Sequence, residues 1–374
     1  MPNLDVVPVA SSKQQRQFLD LPWDLYRGDP HWITRLRSSE QELVGFKRHP
    51  FHEENEVQAF LAVRDGKPVG RIVAIVNRGH VERHREKLGF FGFFESIDDQ
   101  PTANALFDAA RQWLAERGME GVRGPLNPSM NYDCGLLIEG FDSPPTFMMT
   151  YNPPYYASLV EGYGFTKSQD MFSYLANVDM MDSMDEKLAF ITNEARRRFE
   201  FKLRTLDKSR FDAEVRMFLD IYNQSLMGTW GFVPLSKHEI DHMSTSLKHL
   251  IVPEMTAVAE FEGRPVGAIF GLLDYNPRIK RIGGRLFPFG FIRLLWNKKS
   301  IKRVRLMSTN VLPEFQKWGL GVVLLAELLP TGLQRGMTEG EFSWVLESNH
   351  LSRKSLERGG AKKDKTFRIY DFAM

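Results

Sequence analysis

The chain has 374 residues, of which 43% are hydrophobic and 26% are charged, and its formal net charge is +2. This composition is typical of a folded globular protein and excludes a disordered chain, while the length suits two domains better than one core. A net charge this close to zero gives no reason to expect a polyanionic partner, so we predict no nucleic-acid binding.

The chain start and the single cysteine indicate a cytoplasmic protein. Cys134 has no second cysteine to pair with, which favours a reducing compartment, and we expect it to be a small buried hydrophobic residue. Residues Met1–Asp5 lack the charged and apolar regions of a signal peptide. No run reaches the ~18 apolar residues that a membrane span requires.

Two similar segments predict two β-hairpins. Arg64–Gly70 resembles Phe261–Gly267, and the turns are Asp65-Gly66 in the first and Glu262-Gly263 in the second. Apolar, β-rich residues precede both turns, which is the pattern of a tight hairpin. The two turn glycines lie 197 positions apart.

The same offset recurs further along the chain, which predicts two copies of one fold. Four later pairs are 196 or 197 positions apart: Asn152 and Asn349, Glu161 and Glu357, Gly164 and Gly360, and Tyr174 and Tyr370. We therefore predict a mixed α/β protein with two tandem domains, 1–181 and 182–374. Each has a mixed central sheet flanked by helices, and a helix-rich segment at about 182–198 joins them.

In the first half, a strand at 89–95 is followed by Asp98-Asp99-Gln100-Pro101. This is the pattern of a helix N-cap with an early proline, and two aspartates at a helix start would repel a phosphate group. The next long segment, 124–133, is predicted to shape the acceptor side of a site. The alternative for that segment is a purely structural loop.

The segment His238-Glu239-Ile240-Asp241-His242 matches the zinc-protease signature H-E-x-x-H. Two histidines one turn apart on a helix could bind zinc, with the glutamate as base. However, Ser236 and Glu239 already form a capping-box pattern, and Asp241 places a charge where such helices usually carry apolar residues. We predict a solvated helix start and no metal. His80 and His84 share the histidine spacing without the glutamate and are expected at the surface.

A basic, aromatic segment precedes the next predicted strand. From Tyr275 to Pro313 there are ten basic residues and no acidic one, and the run from Leu286 to Trp296 is rich in phenylalanine and leucine. Such a mixture suits the membrane interface, so we predict that residues 275–305 contact a membrane surface. One alternative is a long hairpin packed on the other domain with a solvated basic edge. Nucleic-acid binding is a second, without a recognised fold to support it.

The second half then predicts a strand–helix–strand crossover. Its elements are a strand at 304–311, a helix at 322–334, a strand at 341–346, a short helix at 352–358 and a last strand at 366–372. Between the first strand and its helix lies Gln316-Lys317-Trp318-Gly319-Leu320-Gly321. Glycines at a helix start allow the backbone to approach an anion, and the helix dipole favours negative charge there.

The pattern Gln-x-x-Gly-x-Gly in this context resembles motif A of the GNAT superfamily of acyltransferases. The resemblance implies acyl-CoA as co-substrate and no metal, with the pyrophosphate on Gln316, Lys317, Trp318, Gly319, Leu320 and Gly321. It also implies that pantetheine lies along the preceding strand at Thr309, Val311 and Leu312, and that an N–H near Val311 or Leu312 stabilises the oxyanion. In this half, Asn349 would bond the pantetheine and Glu347 would serve as base, with water as the alternative. The first half would have lost coenzyme A binding.

The resemblance has departures after Asn349. Many GNAT enzymes carry a tyrosine that protonates the leaving thiolate, followed by a Gly-Phe pair. This chain has Leu356 where that tyrosine would stand and Ala361 in place of the phenylalanine. The usual general acid is therefore in question, although a thiolate can take its proton from water.

Two further segments, 152–156 (Asn-Pro-Pro-Tyr-Tyr) and 230–234 (Trp-Gly-Phe-Val-Pro), are similar to bacterial GNAT-type lipid N-acyltransferases, including bacterial ceramide synthases. This resemblance implies transfer of a fatty acyl group to the primary amine of a long-chain base, at the inner face of a membrane. Two alternatives stay open. One is a soluble acetyl- or aminoacyl-type transferase with a small-molecule or peptide acceptor, and the other is a non-catalytic acyl-CoA-binding module.

Overall fold

The computed structural model describes residues 4–178 and 186–374. Its strands are β1 (Leu4–Pro8), β2 (Glu56–Arg64), β3 (Lys67–Val76), β4 (Leu88–Ser96), β5 (Gly121–Gly124), β6 (Leu126–Asn127), β7 (Asp133–Cys134), β8 (Leu136–Glu139), β9 (Thr166–Asn177), β10 (Lys202–Arg204), β11 (Thr256–Phe261), β12 (Arg264–Leu273), β13 (Arg303–Val311), β14 (Glu339–Leu346) and β15 (Lys362–Ala373).

Twelve α-helices lie within the described residues, and none of them is long and apolar enough to span a bilayer. They are α1 (Ser12–Leu25), α2 (Arg37–Leu43), α3 (Arg78–His84), α4 (Gln100–Ala115), α5 (Tyr156–Tyr163), α6 (Glu186–Arg198), α7 (Phe211–Ser225), α8 (Lys237–Leu247), α9 (Asn276–Ile282), α10 (Gly290–Leu295), α11 (Leu320–Arg335) and α12 (His350–Arg358).

The described chain divides into two compact units, and each unit consists of more than one segment of the sequence. The first unit contains the chain up to Asp170 together with Asn276–Leu294 and Thr366–Met374. The second contains Met171–Tyr275 and Leu295–Lys365. Each unit therefore includes the end of a strand from the other half of the sequence. The predicted boundary between residues 181 and 182 lies outside the described residues.

The first unit is built on a mixed sheet in the order β1-β2-β3-β4-β5-β15, with β8 also on β15. β4 and β5 are parallel, and the other neighbouring pairs are antiparallel. The predicted hairpin joins β2 to β3, and both turn residues have positive φ (Asp65 49°, Gly66 79°). Helix α4 packs on β2 and β3 through a core that includes Phe91, Phe107 and Leu106.

The second unit repeats this arrangement in the order β9-β14-β13-β12-β11-β10. Here β13 and β14 are parallel and the other pairs are antiparallel. The turn between β11 and β12 again has two residues with positive φ, Glu262 at 52° and Gly263 at 77°. The matching hairpins, sheet order and single parallel pair confirm the predicted mixed α/β fold.

Two of the residue pairs that recur 196 positions apart contact each other where the strand ends are exchanged. Tyr370 in the last strand donates its hydroxyl hydrogen bond to Glu161 of α5 at 2.9 Å, and both residues belong to the first unit. Tyr174 in β9 donates the same bond to Glu357 of α12 at 2.9 Å in the second unit. The tyrosine–glutamate pair thus recurs, but each pair joins residues from opposite halves of the sequence.

The basic segment forms two short helices, so the hairpin geometry of the structural alternative is wrong, whereas its expected packing on the other domain agrees with the unit boundaries. Residues 276–294 belong to the first unit and are held there by polar bonds. Asn276 Nδ2 donates to the Pro145 carbonyl at 2.7 Å, and the amide of Arg37 donates to the Gly284 carbonyl at 3.0 Å. These bonds fix both ends of α9, which leaves the following turn at the surface.

Candidate active site

The parallel strands of the second unit separate partway along their length. They pair from Arg303–Glu339 to Leu306–Phe342, and no later pair joins them in the part of the chain that the structure describes. β13 continues beside β12 to Val311, and β14 continues beside β9 to Leu346. The result is a wedge-shaped opening, here called the second wedge, bordered by the backbone of β13.

Strand geometry decides which backbone groups of β13 face this wedge. The amide of Leu312 donates to the Val266 carbonyl at 2.9 Å and therefore points towards β12. Because successive amides of a strand alternate in direction, the amides of Val311 and Thr309 point the other way, into the second wedge. The expectation that Leu312 supplies the oxyanion-stabilising N–H is therefore wrong, because that N–H is already bonded. Val311 retains the role as a prediction.

The glycine turn follows at the end of β13. A 3-10 helix at Pro313–Trp318 leads to Gly319, whose φ of 74° favours glycine, and α11 begins at Leu320. No side chain caps this helix start, and the amides of Val322 and Val323 return to the Gly319 carbonyl. The amides of Leu320 and Gly321 thus stand at the positive end of the helix dipole, which is the arrangement that binds a phosphate.

Other residues of the predicted motif build the turn. Gln316 Nε2 donates to the carbonyls of Val311 at 3.1 Å and Ser225 at 3.3 Å, which ties the turn to the end of β13 and to α7. The Trp318 ring stacks on Phe199 with centroids 4.0 Å apart. Lys317 is exposed beside them. The side chains of Gln316 and Trp318 are therefore held by the protein, which leaves ligand contacts to backbone groups and to Lys317.

Gly321 is not required by the packing of the protein itself. Its φ lies outside the left-handed region, and a Cβ added there would meet only the Thr309 methyl, at an ordinary 3.5 Å. The space over the helix start is therefore open because residue 321 has no side chain. That opening fits a pyrophosphate resting on the amides of Leu320 and Gly321.

The sequence reading missed a polar cluster on β13. Asn310 is fully buried, and its Oδ1 accepts hydrogen bonds from Ser308 at 2.6 Å and Ser225 at 3.1 Å. Its Nδ2 has no hydrogen-bond partner among the described residues. A buried donor without a partner is costly, and here it sits between the two residues whose amides face the second wedge. The amide-rich pantetheine arm of coenzyme A offers the acceptor that this donor lacks.

The other border of the second wedge carries the remaining predicted residues. Glu347 follows β14 and is half-buried, and its carbonyl accepts from Arg353 at 2.9 Å. Asn349 is exposed and caps α12, with Oδ1 accepting from the Ser352 amide at 3.1 Å. Leu356 packs on the apolar cluster around Val345. The position expected for a catalytic tyrosine thus carries a partly buried side chain that packs against the core.

The equivalent wedge of the first unit is filled by the chain itself. β4 and β5 pair from Leu88–Gly121 to Phe90–Arg123, and the segment with β6 and β7 then enters the gap. Asn127 Oδ1 accepts from the Phe93 amide at 2.6 Å. A Cβ on Gly92 would lie 2.0 Å from the Leu126 carbonyl oxygen, so the contact there is tight. This first wedge has no room for a pantetheine arm. Segment 124–133 thus has the structural role of the alternative, and its part in shaping the acceptor side stays a prediction.

The helix start beside the first wedge is also blocked. Asp99 caps α4 as predicted, accepting from the Thr102 amide at 3.0 Å and from Arg64 Nη2 at 2.5 Å. Partial burial opposes ionisation, but hydrogen bonds from Thr102 and Arg64 outweigh it and lower the pKa of Asp99. A carboxylate therefore occupies the place where α11 offers free amides. That the first half does not bind coenzyme A stays a prediction.

The H-E-x-x-H segment is a helix start in the structure. Ser236 and Glu239 form the predicted capping box of α8, with the Glu239 carboxylate on the Ser236 amide at 3.0 Å. Among the described residues, no group of three or more His, Cys, Asp or Glu side chains is placed to hold a metal ion.

Two further predictions concern the burial of single residues. Cys134 is fully buried, as expected. The expectation of a surface His80 is wrong: it is 1% exposed, its ring packs on Phe90 at 4.9 Å, and burial is the main reason that its pKa falls to about 4. Its i+4 neighbour His84 packs beside it, with ring centroids 4.5 Å apart.

Solved structures share this two-unit fold. A tandem GNAT protein from the clavulanic acid biosynthesis pathway aligns with a TM-score of 0.58 at 12% identity, covering 99% of this chain and 98% of that chain. A GCN5-related N-acetyltransferase from Sphaerobacter thermophilus aligns with a TM-score of 0.54 at 14% identity, covering 98% and 95%. At these identities the likeness concerns the fold alone.

Two relatives match at the level of sequence. The bacterial ceramide synthase of Caulobacter vibrioides (strain NA1000 / CB15N) is 34% identical over 385 aligned positions, covering all of this chain and 98% of that protein. This chain belongs to the same family of GNAT-type acyltransferases. Protein YghO of Escherichia coli (strain K12) is 34% identical over 363 positions, covering 95% of this chain and 92% of that protein. No family model matches the sequence. The GNAT fold implies acyl-CoA as co-substrate and an amine as acceptor.

Proposed function

We propose that this GNAT-type acyltransferase moves a fatty acyl group from acyl-CoA to the primary amine of a long-chain base at a membrane surface. The observation that carries the proposal is the second wedge, which combines inward-facing strand amides with an uncapped, glycine-opened helix start. The first wedge lacks both features. One acyl-CoA per chain is therefore expected, on the second unit.

The chemistry follows from the groups that border the second wedge. The amine nitrogen attacks the thioester carbonyl carbon, so a C–N bond forms and the C–S bond breaks. The Val311 amide stabilises the oxyanion, and Asn310 Nδ2 donates to the adjacent pantetheine. Glu347 or water accepts the proton that the amine loses, and coenzyme A leaves as a thiolate that water protonates. The products are an N-acyl amide and free coenzyme A.

The choice of a lipid acceptor rests on two independent supports. One is the full-length relative named bacterial ceramide synthase, at 34% identity. The other is an aromatic patch on the first unit, formed by Phe287, Phe289, Phe291 and Ile292, whose exposed fractions are 81, 66, 45 and 45%. Exposed Arg285 and Arg293 flank the patch. Large exposed apolar side chains beside arginines favour insertion into an anionic membrane surface.

The size of these contributions suits reversible peripheral binding. Each arginine near an anionic surface contributes about 1 kcal/mol, and the apolar area adds about 25 cal/mol per Å² that leaves water. We place this docking on the cytoplasmic face of the inner membrane, where a long-chain base would be available in the bilayer.

An assay with defined substrates tests the proposed function. Purified protein is incubated with palmitoyl-CoA or acetyl-CoA and with either a long-chain base in vesicles or a small soluble amine, and N-acyl products are quantified by mass spectrometry. We expect the product of palmitoyl-CoA and the long-chain base to dominate. Product from acetyl-CoA and the soluble amine alone would instead support a soluble acetyltransferase. Binding of acyl-CoA without any product would support a non-catalytic module.

Vesicle co-sedimentation tests the docking surface. Wild-type protein should bind anionic vesicles at low salt and be partly released at high salt, because the arginine contribution is screened. A variant with Phe287, Phe289 and Phe291 changed to Ser should bind less at both salt concentrations. Leu351→Ser, which removes a 79% exposed leucine elsewhere, is the matched control. Equal binding of the triple variant and wild type would exclude the aromatic patch as the docking surface.

A further inference from the structure

An apolar cavity lies directly below the second wedge, within the second unit. It is open on one side, and its volume is about 70 Å³. The wall formed by α11 and its flank consists of Leu328, Leu329, Gly332, Leu333, Met337 and Met255. The wall formed by the sheet includes Val304, Leu306, Gly340 and Phe342. The reaction proposed above assigns no role to this space.

The cavity reaches the residue pair at which the two strands separate. Leu306 and Phe342 line it, and they are the last register pair between β13 and β14 before the second wedge opens. From there the lining follows β14 back to Thr338, four residues earlier, which is a length of roughly 13 Å at the rise of a strand. A group attached to a thioester at the base of the wedge would therefore enter the cavity at the Leu306–Phe342 pair.

The chemistry of the lining changes along this length. The upper and middle parts are leucine, methionine, valine and phenylalanine side chains, while Asn177, Thr338 and Glu339 stand at the far end. Two methionines in such a wall adapt their shape to a flexible occupant. Leu333 is 41% exposed at the open side, so the cavity communicates with solvent rather than being a sealed packing void. An apolar, elongated space of this kind suits a hydrocarbon chain.

We infer that this cavity binds the first few methylene groups of the acyl chain of the acyl-CoA, and that Gly340 and Gly332 keep this space open. The inference rests on the proposed function, because it assumes that the thioester lies at the base of the second wedge. A Cβ added at Gly340 would meet no heavy atom within 4 Å, so that residue leaves open space in the cavity wall. Each methylene buried there should raise the affinity about fourfold.

Calorimetric titration of acyl-CoAs without any amine acceptor tests the inference. Wild-type protein should bind palmitoyl-CoA at least a hundredfold more tightly than acetyl-CoA. Gly340→Leu fills the cavity from the sheet side without backbone strain, and it should lower the palmitoyl-CoA affinity at least tenfold while leaving the acetyl-CoA affinity unchanged. Gln334→Leu adds the same side chain at an exposed position of α11 and should bind both ligands like wild type.

A second variant protects the test against a folding defect. Gly332→Val narrows the cavity from the helix side, where a Cβ would meet Met255 only at 3.6 Å, and it should give the same selective loss. Unchanged palmitoyl-CoA affinity in both glycine variants, or equal affinity of wild type for the two acyl-CoAs, would overturn the inference. Selective loss of palmitoyl-CoA binding in an enzyme that acylates no long-chain base would uphold the cavity assignment and refute the proposed acceptor.

Discussion

The two wedges of this molecule derive from one duplicated fold but have opposite interiors. In the first, Asn127 bonds the Phe93 amide across the gap and Asp99 covers the adjoining helix start. In the second, the strand amides face an open gap and the helix start has no side-chain cap. Since both wedges arise where two parallel strands separate, the fold supplies the gap, and local residues decide whether the chain or a ligand fills it.

Asn127 and Asn310 show this difference at the level of one side chain. Asn127 uses its oxygen to satisfy a buried strand amide within the first wedge. Asn310, on the strand of the second wedge that corresponds to β4, keeps a buried Nδ2 without a partner among the described residues. A satisfied polar group stabilises the fold, whereas an unsatisfied one costs stability until a ligand arrives. Under the proposed function, the second unit keeps this donor for pantetheine at the expense of local stability.

The largest effect is expected from filling the helix start of the second wedge. Gly321→Leu places a side chain over the amides of Leu320 and Gly321, and we expect the affinity for acyl-CoA to fall at least a hundredfold. Isothermal titration should give one site per chain for wild type and for Gln334→Leu, the exposed control on the same helix. Undiminished binding by Gly321→Leu would show that acyl-CoA binds elsewhere, and that the second wedge does not differ from the first in ligand binding. Gly319 is a poorer position for this test, because a side chain at its positive φ would add backbone strain.

The paired asparagines give the next largest effects. Asn127→Ala leaves the Phe93 amide buried without an acceptor, so we expect the free energy of unfolding to fall by about 2 kcal/mol with acyl-CoA affinity unchanged. Asn310→Ala should cost about 1 kcal/mol of stability and lower acyl-CoA affinity about tenfold. Urea unfolding and calorimetry measure the two quantities. If Asn127→Ala weakens acyl-CoA binding and Asn310→Ala does not, the roles assigned to the wedges are reversed.

The smallest effect concerns the cap of the first unit. Asp99→Ala removes the N-cap of α4 and should lower the free energy of unfolding by about 1 kcal/mol at pH 7, without changing acyl-CoA affinity. Because hydrogen bonds hold the pKa of Asp99 below its ordinary value, the carboxylate stabilises the fold above the unfolded pKa, at about pH 3.9. That contribution is lost as the pH falls through the lower folded pKa. Urea unfolding from pH 7 to 3 should show the gap to wild type narrowing, and a gap that widens on acidification would contradict the assignment.

The elements of the second wedge could be predicted because their signals are local. A strand, a glycine turn and an apolar helix follow one another within 33 residues, from 303 to 335, and the structure places them within two residues of the predicted limits. The capping box at Ser236 and the aspartate cap of α4 were predicted for the same reason. In each case, the residues that determine the geometry are neighbours in the chain.

The contents of the wedges could not be predicted because they depend on distant contacts. Nothing in the residues near Asn127 indicates that its side chain reaches β4, and nothing near His80 indicates that Phe90 will cover it. The partnerless Nδ2 of Asn310 likewise becomes apparent only when the surrounding elements are in place. The polar residues Ser308 and Asn310, which occupy alternate positions near the end of this strand, are the one signal that could have pointed to the cluster.

The exchanged strand ends have a consequence for the synthesis of the protein. Residues Thr366–Met374 pair with β5 and β8, yet they are translated about 200 codons after most of the first unit. The first unit therefore cannot complete its sheet until these residues have left the ribosome. A nascent chain must keep the open edge of β5 protected until then, since exposed strand edges invite pairing with other chains. Truncations that spare every residue of the second wedge would consequently leave the opposite half of the protein unfinished.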